Sequence, residues 1–194
     1  CSLLFMSCRD KAPSEIGSGA REWTMGSVDS AILVSPRNPA LYAERARLNL
    51  ARDSVRSAIN DWKRAIMLDS TNFRWRLGLG DLYYSKADLA NAEAQFIKAR
   101  ILAIDSTEAR FKLAEIRLIR GEYVDAMAEV NDALRLDDQN AKGYFLKGWI
   151  HREAGDTSLA ISSYRTATER DPSLYDAYMA LARLHDAKKD PLAW

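Results

Sequence analysis

The chain has 194 residues, of which 47% are hydrophobic and 28% are charged, and its formal net charge is +1. A chain of this composition can bury a core, and the near balance of charge argues against nucleic acid or an anionic membrane as an electrostatically attracted partner. The two cysteines, both in the first eight residues, indicate no disulfide framework of the kind that small secreted domains use.

The first residues form an apolar segment, Ser2-Leu3-Leu4-Phe5-Met6-Ser7, which ends at Cys8 and is followed by a polar stretch. Residues 1–8 resemble the end of a bacterial lipoprotein signal peptide, in which the cysteine after the cleaved apolar region becomes the lipidated first residue. The resemblance implies a lipid on Cys8 and a protein anchored in the cell envelope, facing the periplasm. The alternatives are a frayed tail on a cytoplasmic protein and a disulfide between Cys1 and Cys8.

Residues 9–37 contain proline, glycine and serine and are interpreted as a tether. The repeat that follows, extended backwards, passes through Ala31 and Val34, which predicts a degenerate helix over residues 21–34. No run of 18 or more apolar residues occurs in the sequence. We therefore expect contact with a membrane only through the lipid anchor.

From residue 38 onward the sequence repeats every 34 residues. Two alanine columns show the period, one at Ala58, Ala92, Ala126 and Ala160 and one at Ala65, Ala99, Ala133 and Ala167. A column of small residues precedes them at Ala46, Gly80, Ala114, Gly148 and Ala182, and a bulky column lies between them at Trp62, Phe96, Val130 and Tyr164. An unbroken period of this length predicts an array of structural repeats.

Each repeat is expected to hold two helices. Apolar residues fall three, four or seven apart, as at Ala58, Trp62 and Ala65, which is typical of an amphipathic helix. Breakers such as Gly121-Glu122 and Gly155-Asp156 divide each repeat into a helix hairpin with a tight turn. Small columns alternate with bulky ones because helix axes about 8–10 Å apart leave little room at their closest contact. The sequence thus predicts an all-α fold, an α-solenoid of stacked antiparallel helix hairpins.

These columns resemble the signature of the tetratricopeptide repeat family, whose units are hairpins of this length. The resemblance covers residues 38–194, with units at about 39–72, 73–106, 107–140 and 141–174 and a partial fifth unit at 175–194. It implies a non-catalytic scaffold without a cofactor, which binds protein or peptide partners in a concave groove lined by the first helix of each unit. The alternatives are a soluble intracellular adaptor of the same fold and a regulatory segment of a larger protein.

Two middle units depart from the family pattern at the aromatic position early in the first helix. Arg76 and Arg110 stand there, in the column of Tyr42, Tyr144 and Tyr178. Trp75, Leu77 and Phe111 lie beside the two arginines and are expected to take over part of the missing packing. Positions where the period breaks in this way are candidates for the chain's own function.

The register also predicts which residues of the first helices point into the groove. The set proposed as a partner-binding site is Leu77, Tyr84, Phe111, Phe145, Leu146, Trp149 and Arg152. Its aromatic residues are concentrated in the third and fourth units, and aromatic anchors contribute a large share of the binding energy at interfaces. The competing interpretation is that Phe111, Phe145 and Trp149 pack inward.

The sequence contains no recognisable catalytic or metal-binding motif. His151 and His185 are one repeat apart without a third ligand at metal-site spacing, and partial burial is expected for both. Gly78-Leu79-Gly80 lies within a predicted helix and not in the strand-turn-helix context of a dinucleotide site. Asp190-Pro191 is read as the start of a further second helix.

Overall fold

The computed structural model describes residues 23–189. Cys8, residues 9–22 of the predicted tether and Asp190-Pro191 lie outside the described residues. Within them the chain forms ten helices and no strand, in this order: α1 Met25–Val34, α2 Pro39–Ala51, α3 Val55–Leu68, α4 Phe73–Ser85, α5 Leu89–Leu102, α6 Thr107–Ile119, α7 Tyr123–Leu136, α8 Ala141–Glu153, α9 Thr157–Arg170 and α10 Tyr175–Lys189.

The helices pair as hairpins that stack in chain order. The hairpins are α2 with α3, α4 with α5, α6 with α7 and α8 with α9, and each packs on the helix that follows it. The helices α6 and α8, which are the first helices of successive hairpins, also contact each other. The predicted α-solenoid is confirmed, and α1 lies within the range predicted for a degenerate helix.

The repeat columns form the interior of the array. The alanines of both columns and the bulky residues between them are buried, from Trp62 in α3 to Tyr164 in α9. A Cβ atom added at Gly148 would lie 2.5 Å from the ring of Tyr164, and the same clash would arise between Gly80 and Phe96. Glycine is therefore required at these two positions because an aromatic ring of the second helix lies directly against the backbone of the first.

The hairpin turns repeat one backbone conformation. Asp53, Ala87, Gly121 and Gly155 have φ values of 55°, 57°, 75° and 85° and occupy equivalent positions. The left-handed conformation ends the first helix, and glycine adopts it without steric cost. After two of these turns an aspartate caps the second helix. The side chain of Asp88 accepts a hydrogen bond from the backbone N–H of Asn91, and that of Asp156 accepts one from the backbone N–H of Leu159.

Two expectations about α10 are wrong. Ala182, assigned to the buried small column, is exposed, and so is His185, whereas His151 in α8 is half-buried as expected. The reason is that no helix within residues 23–189 packs on that side of α10 in the way that α9 packs on α8.

Candidate partner-binding groove

Three of the residues predicted to point into the groove are buried instead. Leu77, Phe111 and Leu146 are 4%, 2% and 1% exposed. Leu77 packs with Phe96 and Leu113 of neighbouring helices, and the other two join a core that includes Val130. The prediction that these three side chains point outward is therefore wrong, because they fill the contact between successive hairpins. The expectation that Leu77 and Phe111 take over packing is confirmed.

The other four predicted residues remain partly accessible. Tyr84, Phe145, Trp149 and Arg152 are all half-buried. Tyr84 lies apart from the rest, with Lys112 Nζ 6.0 Å from the centre of its ring, and burial raises the pKa of its hydroxyl. The structure brings only Phe145, Trp149 and Arg152 together.

These three residues line an open groove of about 280 Å³ between α8 and α10, which we call the aromatic groove. Its other lining residues are Tyr164, Asp176, Met179, Ala180 and Arg183. Phe145 packs between two aromatic neighbours, with its ring centre 5.6 Å from that of Tyr164 and 6.4 Å from that of Trp149. Of the lining residues contributed by α10, Met179 lies one repeat after Phe145 and Arg183 lies one repeat after Trp149, so the sequence register predicts both.

Trp149 is held in place by polar contacts on the same helix. Its indole Nε1 donates to Glu153 Oε1 at 3.3 Å, and Arg152 donates to the same oxygen from Nε at 3.1 Å and from Nη2 at 2.6 Å. The Arg152 guanidinium lies 5.9 Å from the centre of the Trp149 ring, within cation–π range. These contacts fix the ring in a defined orientation while it stays partly accessible.

Trp149 and Arg152 also line a second groove, of about 470 Å³, on their other side. This second groove is bounded by the turn between α6 and α7, including Arg120 and Tyr123. Trp149 therefore forms a ridge between two depressions. A side chain in this position can contact a partner segment that runs across both hairpins.

The equivalent positions in earlier units carry charges that are already paired. Lys112 Nζ lies 2.8 Å from Asp81 Oδ1, and Lys142 Nζ lies 2.8 Å from Glu115 Oε1. Burial lowers the pKa of Lys112, but the hydrogen bond with Asp81 raises it, and the net effect is a raised pKa. Trp149 occupies the same column as the two carboxylates. The paired charges are thus followed by an aromatic surface at the C-terminal end of the described array.

The two arginines that break the aromatic column have a packing role. Arg110 Nη1 lies 3.6 Å from Oε2 of Glu129, and the Arg110 side chain is only 15% exposed. Arg76 makes the equivalent contact one unit earlier, donating to Gln95 Oε1 at 3.5 Å. In both units the partner follows the arginine by 19 residues, a spacing from which the pairing could have been found. These contacts join the two helices of a hairpin.

Between residues 23 and 189, no three histidine, cysteine, aspartate or glutamate side chains are grouped so that they could hold a metal ion. No helix in that part of the chain has the length and apolar character needed to cross a membrane.

Comparison with known proteins identifies the repeat. The family model for the tetratricopeptide repeat matches residues 43–107 and 145–193. Among curated proteins, the mouse DnaJ homolog subfamily C member 7 is 26% identical over 92 residues, which is 47% of this chain and 19% of that protein. The chain thus spans about a fifth of that relative's length.

Solved structures show the same fold at low sequence identity. A tetratricopeptide repeat protein from Parabacteroides merdae superposes with a TM-score of 0.76 and 14% identity, over 85% of this chain and 66% of that one. YrrB, described as a tetratricopeptide repeat protein with an unusual peptide-binding site, superposes with a TM-score of 0.67 and 20% identity, over 88% of each chain. The residues that the family model matches make up more than half of the sequence. This chain therefore belongs to the tetratricopeptide repeat family.

Proposed function

We propose that this chain is a non-catalytic scaffold that captures a segment of a protein partner in the aromatic groove. One observation carries the proposal. At a position where the second and third units have carboxylates paired with lysines, the fourth unit has the half-buried Trp149 between two grooves. A rigid aromatic ring in such a place is a typical anchor of a binding site.

The lining of the aromatic groove indicates what the partner segment contributes. Phe145, Trp149 and Met179 present apolar surface, so the segment needs at least one large apolar side chain. Arg183, at the edge of the groove, forms no ion pair with another described residue. YrrB has the same fold and is described as having an unusual peptide-binding site, which supports the proposal that this chain captures an extended or helical segment.

We also propose that a lipid on Cys8 holds the scaffold in the cell envelope, facing the periplasm. The support is the apolar segment that precedes Cys8 and the polar tether that follows it. Mass spectrometry of the protein from the membrane fraction of its native source tests this point. We expect an acylated cysteine as the first residue, and an unmodified Cys8 with residues 1–7 retained would contradict the proposal.

The groove can be tested before the natural partner is identified. Peptides that bind the purified chain are selected from a random display library, and their affinities are measured for the native chain and for Trp149→Ala. We expect a loss of roughly tenfold or more, because truncating a central aromatic anchor costs about 2 kcal/mol or more. Tyr175→Ala is the matched control, since Tyr175 is an exposed aromatic residue at the start of α10 that does not line the groove.

Helicity and thermal melting of both variants show whether a change in affinity reflects binding. Equal affinity of the native chain and Trp149→Ala for every selected peptide would place the binding site elsewhere. A large loss of stability, with unchanged affinity per folded molecule, would show that Trp149 supports the fold and does not bind.

A further inference from the structure

Three second helices place an exposed apolar side chain at the same position near their C-terminal ends. Leu33 in α1, Met67 in α3 and Ile101 in α5 are 34 residues apart and are 84%, 65% and 70% exposed. Equivalent positions of stacked repeats follow one another along the array. Together they form a line along one edge of the molecule, which we call the apolar row.

Cations accompany the last two members of the row. Arg64 and Lys98 precede Met67 and Ile101 by three residues, so each shares a helix face with its apolar neighbour. Arg64 Nη1 lies 4.0 Å from Met67 Sδ, and Lys98 lines a shallow groove with Ile101. Both cations are exposed, and neither pairs with a carboxylate in the described part of the chain.

The next units lose both features. In α7 the corresponding residues are Asp132 and Arg135, which form an ion pair with each other. In α9 they are Thr166 and Glu169. The same two register positions therefore hold a cation and an exposed apolar residue in α3 and α5, where the Arg64 guanidinium lies 5.8 Å from the centre of the Tyr42 ring, but an ion pair in α7. The apolar row is confined to the N-terminal half of the array.

We propose that the apolar row docks this edge of the array on an anionic lipid surface. Met67 and Ile101 would enter the boundary between headgroups and acyl chains, while Arg64 and Lys98 remain at the level of the lipid phosphates. An anionic membrane supplies both a hydrocarbon phase and counter-charges. Pairing of the row with a second copy of itself would instead bring cations onto cations, which disfavours a two-fold interface.

The position of the row agrees with an attachment at Cys8. Leu33 lies in α1, the described helix nearest in sequence to Cys8, so the row lies at the end of the array that an anchor would hold close to a membrane. The net charge of +1 argued against attraction to a membrane. That sum covers the whole chain, whereas Arg64 and Lys98 act locally, and each basic residue near an anionic surface contributes about 1 kcal/mol.

Vesicle binding tests the proposal independently of the acyl chain. The full chain carrying Cys8→Ser is mixed with vesicles of phosphatidylcholine alone or with roughly 30% phosphatidylglycerol, and bound protein is measured by sedimentation. The row variant is Met67→Glu with Ile101→Glu, which gives α3 and α5 an ion pair resembling that of α7. Val124→Glu with Leu159→Glu is the matched control. Val124 in α7 and Leu159 in α9 are exposed aliphatic residues, and the control changes the net charge by the same amount as the row variant.

We expect the native row to bind only the anionic vesicles, and binding to weaken between about 0.1 M and 0.5 M salt. The row variant should lose roughly tenfold or more of its partition coefficient, and the control less than about twofold. A third variant, Arg64→Gln with Lys98→Gln, should lose the preference for anionic vesicles while keeping the fold. These substitutions leave the aromatic groove intact, so peptide binding there is measured separately.

Three results would overturn the proposal. The first is equal binding of the native chain to neutral and anionic vesicles, or binding to neither. The second is an equal loss of binding to anionic vesicles in the row variant and in the control variant. The third is a change from oligomer to monomer in the row variant by sedimentation velocity, since that would show a second copy of the chain covering the row.

Discussion

Glu129 of α7 is 3% exposed, and its Oε2 atom lies 3.6 Å from Nη1 of Arg110 in α6. Arg100 of α5 donates to the other carboxylate oxygen, and Arg117 Nη2 lies 3.4 Å from it. One buried carboxylate therefore joins the second helix of one hairpin to both helices of the next. A buried charge is tolerated where opposite charges surround it in this way.

Replacing Glu129 with glutamine should lower the free energy of unfolding by about 2–4 kcal/mol. The substitution keeps the shape of the side chain but leaves Arg100 and Arg117 without a counter-charge between packed helices, whereas Arg110 keeps Asp132 Oδ2 at 3.3 Å. Urea unfolding followed by circular dichroism measures the change. Glu169→Gln is the control, because Glu169 is exposed on α9, and its effect should stay within about 0.5 kcal/mol. Similar stabilities for the two variants would show that the buried carboxylate does not stabilise the array.

Gly148→Ala tests the close contact between helices of the fourth hairpin. The added Cβ would lie 2.5 Å from the Tyr164 ring, which is fully buried. We expect a net loss of about 1–2 kcal/mol, since overpacking outweighs the gain in helix propensity. Gly26→Ala, in α1, meets no atom within 4 Å and should stabilise the chain by up to about 1 kcal/mol. Stabilisation by both changes would mean that the α8–α9 contact is looser than described.

The junction after α9 should respond to acid. Ser173 donates to Asp171 Oδ1 from its hydroxyl at 2.6 Å and from its amide at 2.8 Å, and these bonds lower the pKa of Asp171. A lowered pKa in the folded state adds stability above the unfolded pKa of about 3.9, and this stability is lost as the pH falls through the folded value.

Ser173→Ala should therefore raise the pKa of Asp171 in an NMR titration and destabilise the chain at neutral pH. The loss of stability should shrink once the pH lies below the folded pKa. Ser158→Ala, at an exposed position near the start of α9, should leave the titration of Asp171 unchanged. An unchanged pKa in Ser173→Ala would contradict the assignment of the shift to these hydrogen bonds.

The fold could be predicted because the residues that determine it recur. Ala58, Trp62 and Ala65 have equivalents in every full unit, and each equivalent is buried for the same reason, a close contact between two helices. Ala182 fits the same pattern in sequence but is exposed, because burial also requires the neighbouring helix. A repeat column therefore predicts which positions can be buried in an array. A residue at such a position is buried only where a neighbouring helix packs against it.

The binding surface could be predicted only in part. Phe145 and Trp149 do line the aromatic groove, but Phe111, at the position equivalent to Phe145, is buried. The difference arises from the contacts of each hairpin with the next, which a shared register does not encode. The arginine that replaces the aromatic residue at position 110 turns towards Glu129, and Phe111 fills the adjacent core. Such compensation depends on several side chains from different helices.

The turn between α4 and α5 contains the only alanine among the four equivalent turn residues of the described hairpins. Ala87 has a φ of 57°, in the left-handed region, where Gly121 and Gly155 have φ values of 75° and 85°. An alanine in this conformation costs roughly 1 kcal/mol through its Cβ atom, whereas glycine does not. Ala87→Gly should therefore raise the free energy of unfolding by about 0.5–1 kcal/mol, after allowance for the larger entropy of glycine in the unfolded chain.

Urea unfolding of two further variants isolates the effect of the turn conformation. Gly155→Ala should destabilise the fourth hairpin by a similar amount, because it creates at that turn the strain that Ala87→Gly removes. Ala94→Gly, at an exposed position in the middle of α5, should cost about 1 kcal/mol through helix propensity alone. If Ala87→Gly destabilised the chain as much as Ala94→Gly, residue 87 would have to adopt a helical conformation in solution, and the first helix of that unit would extend through the turn.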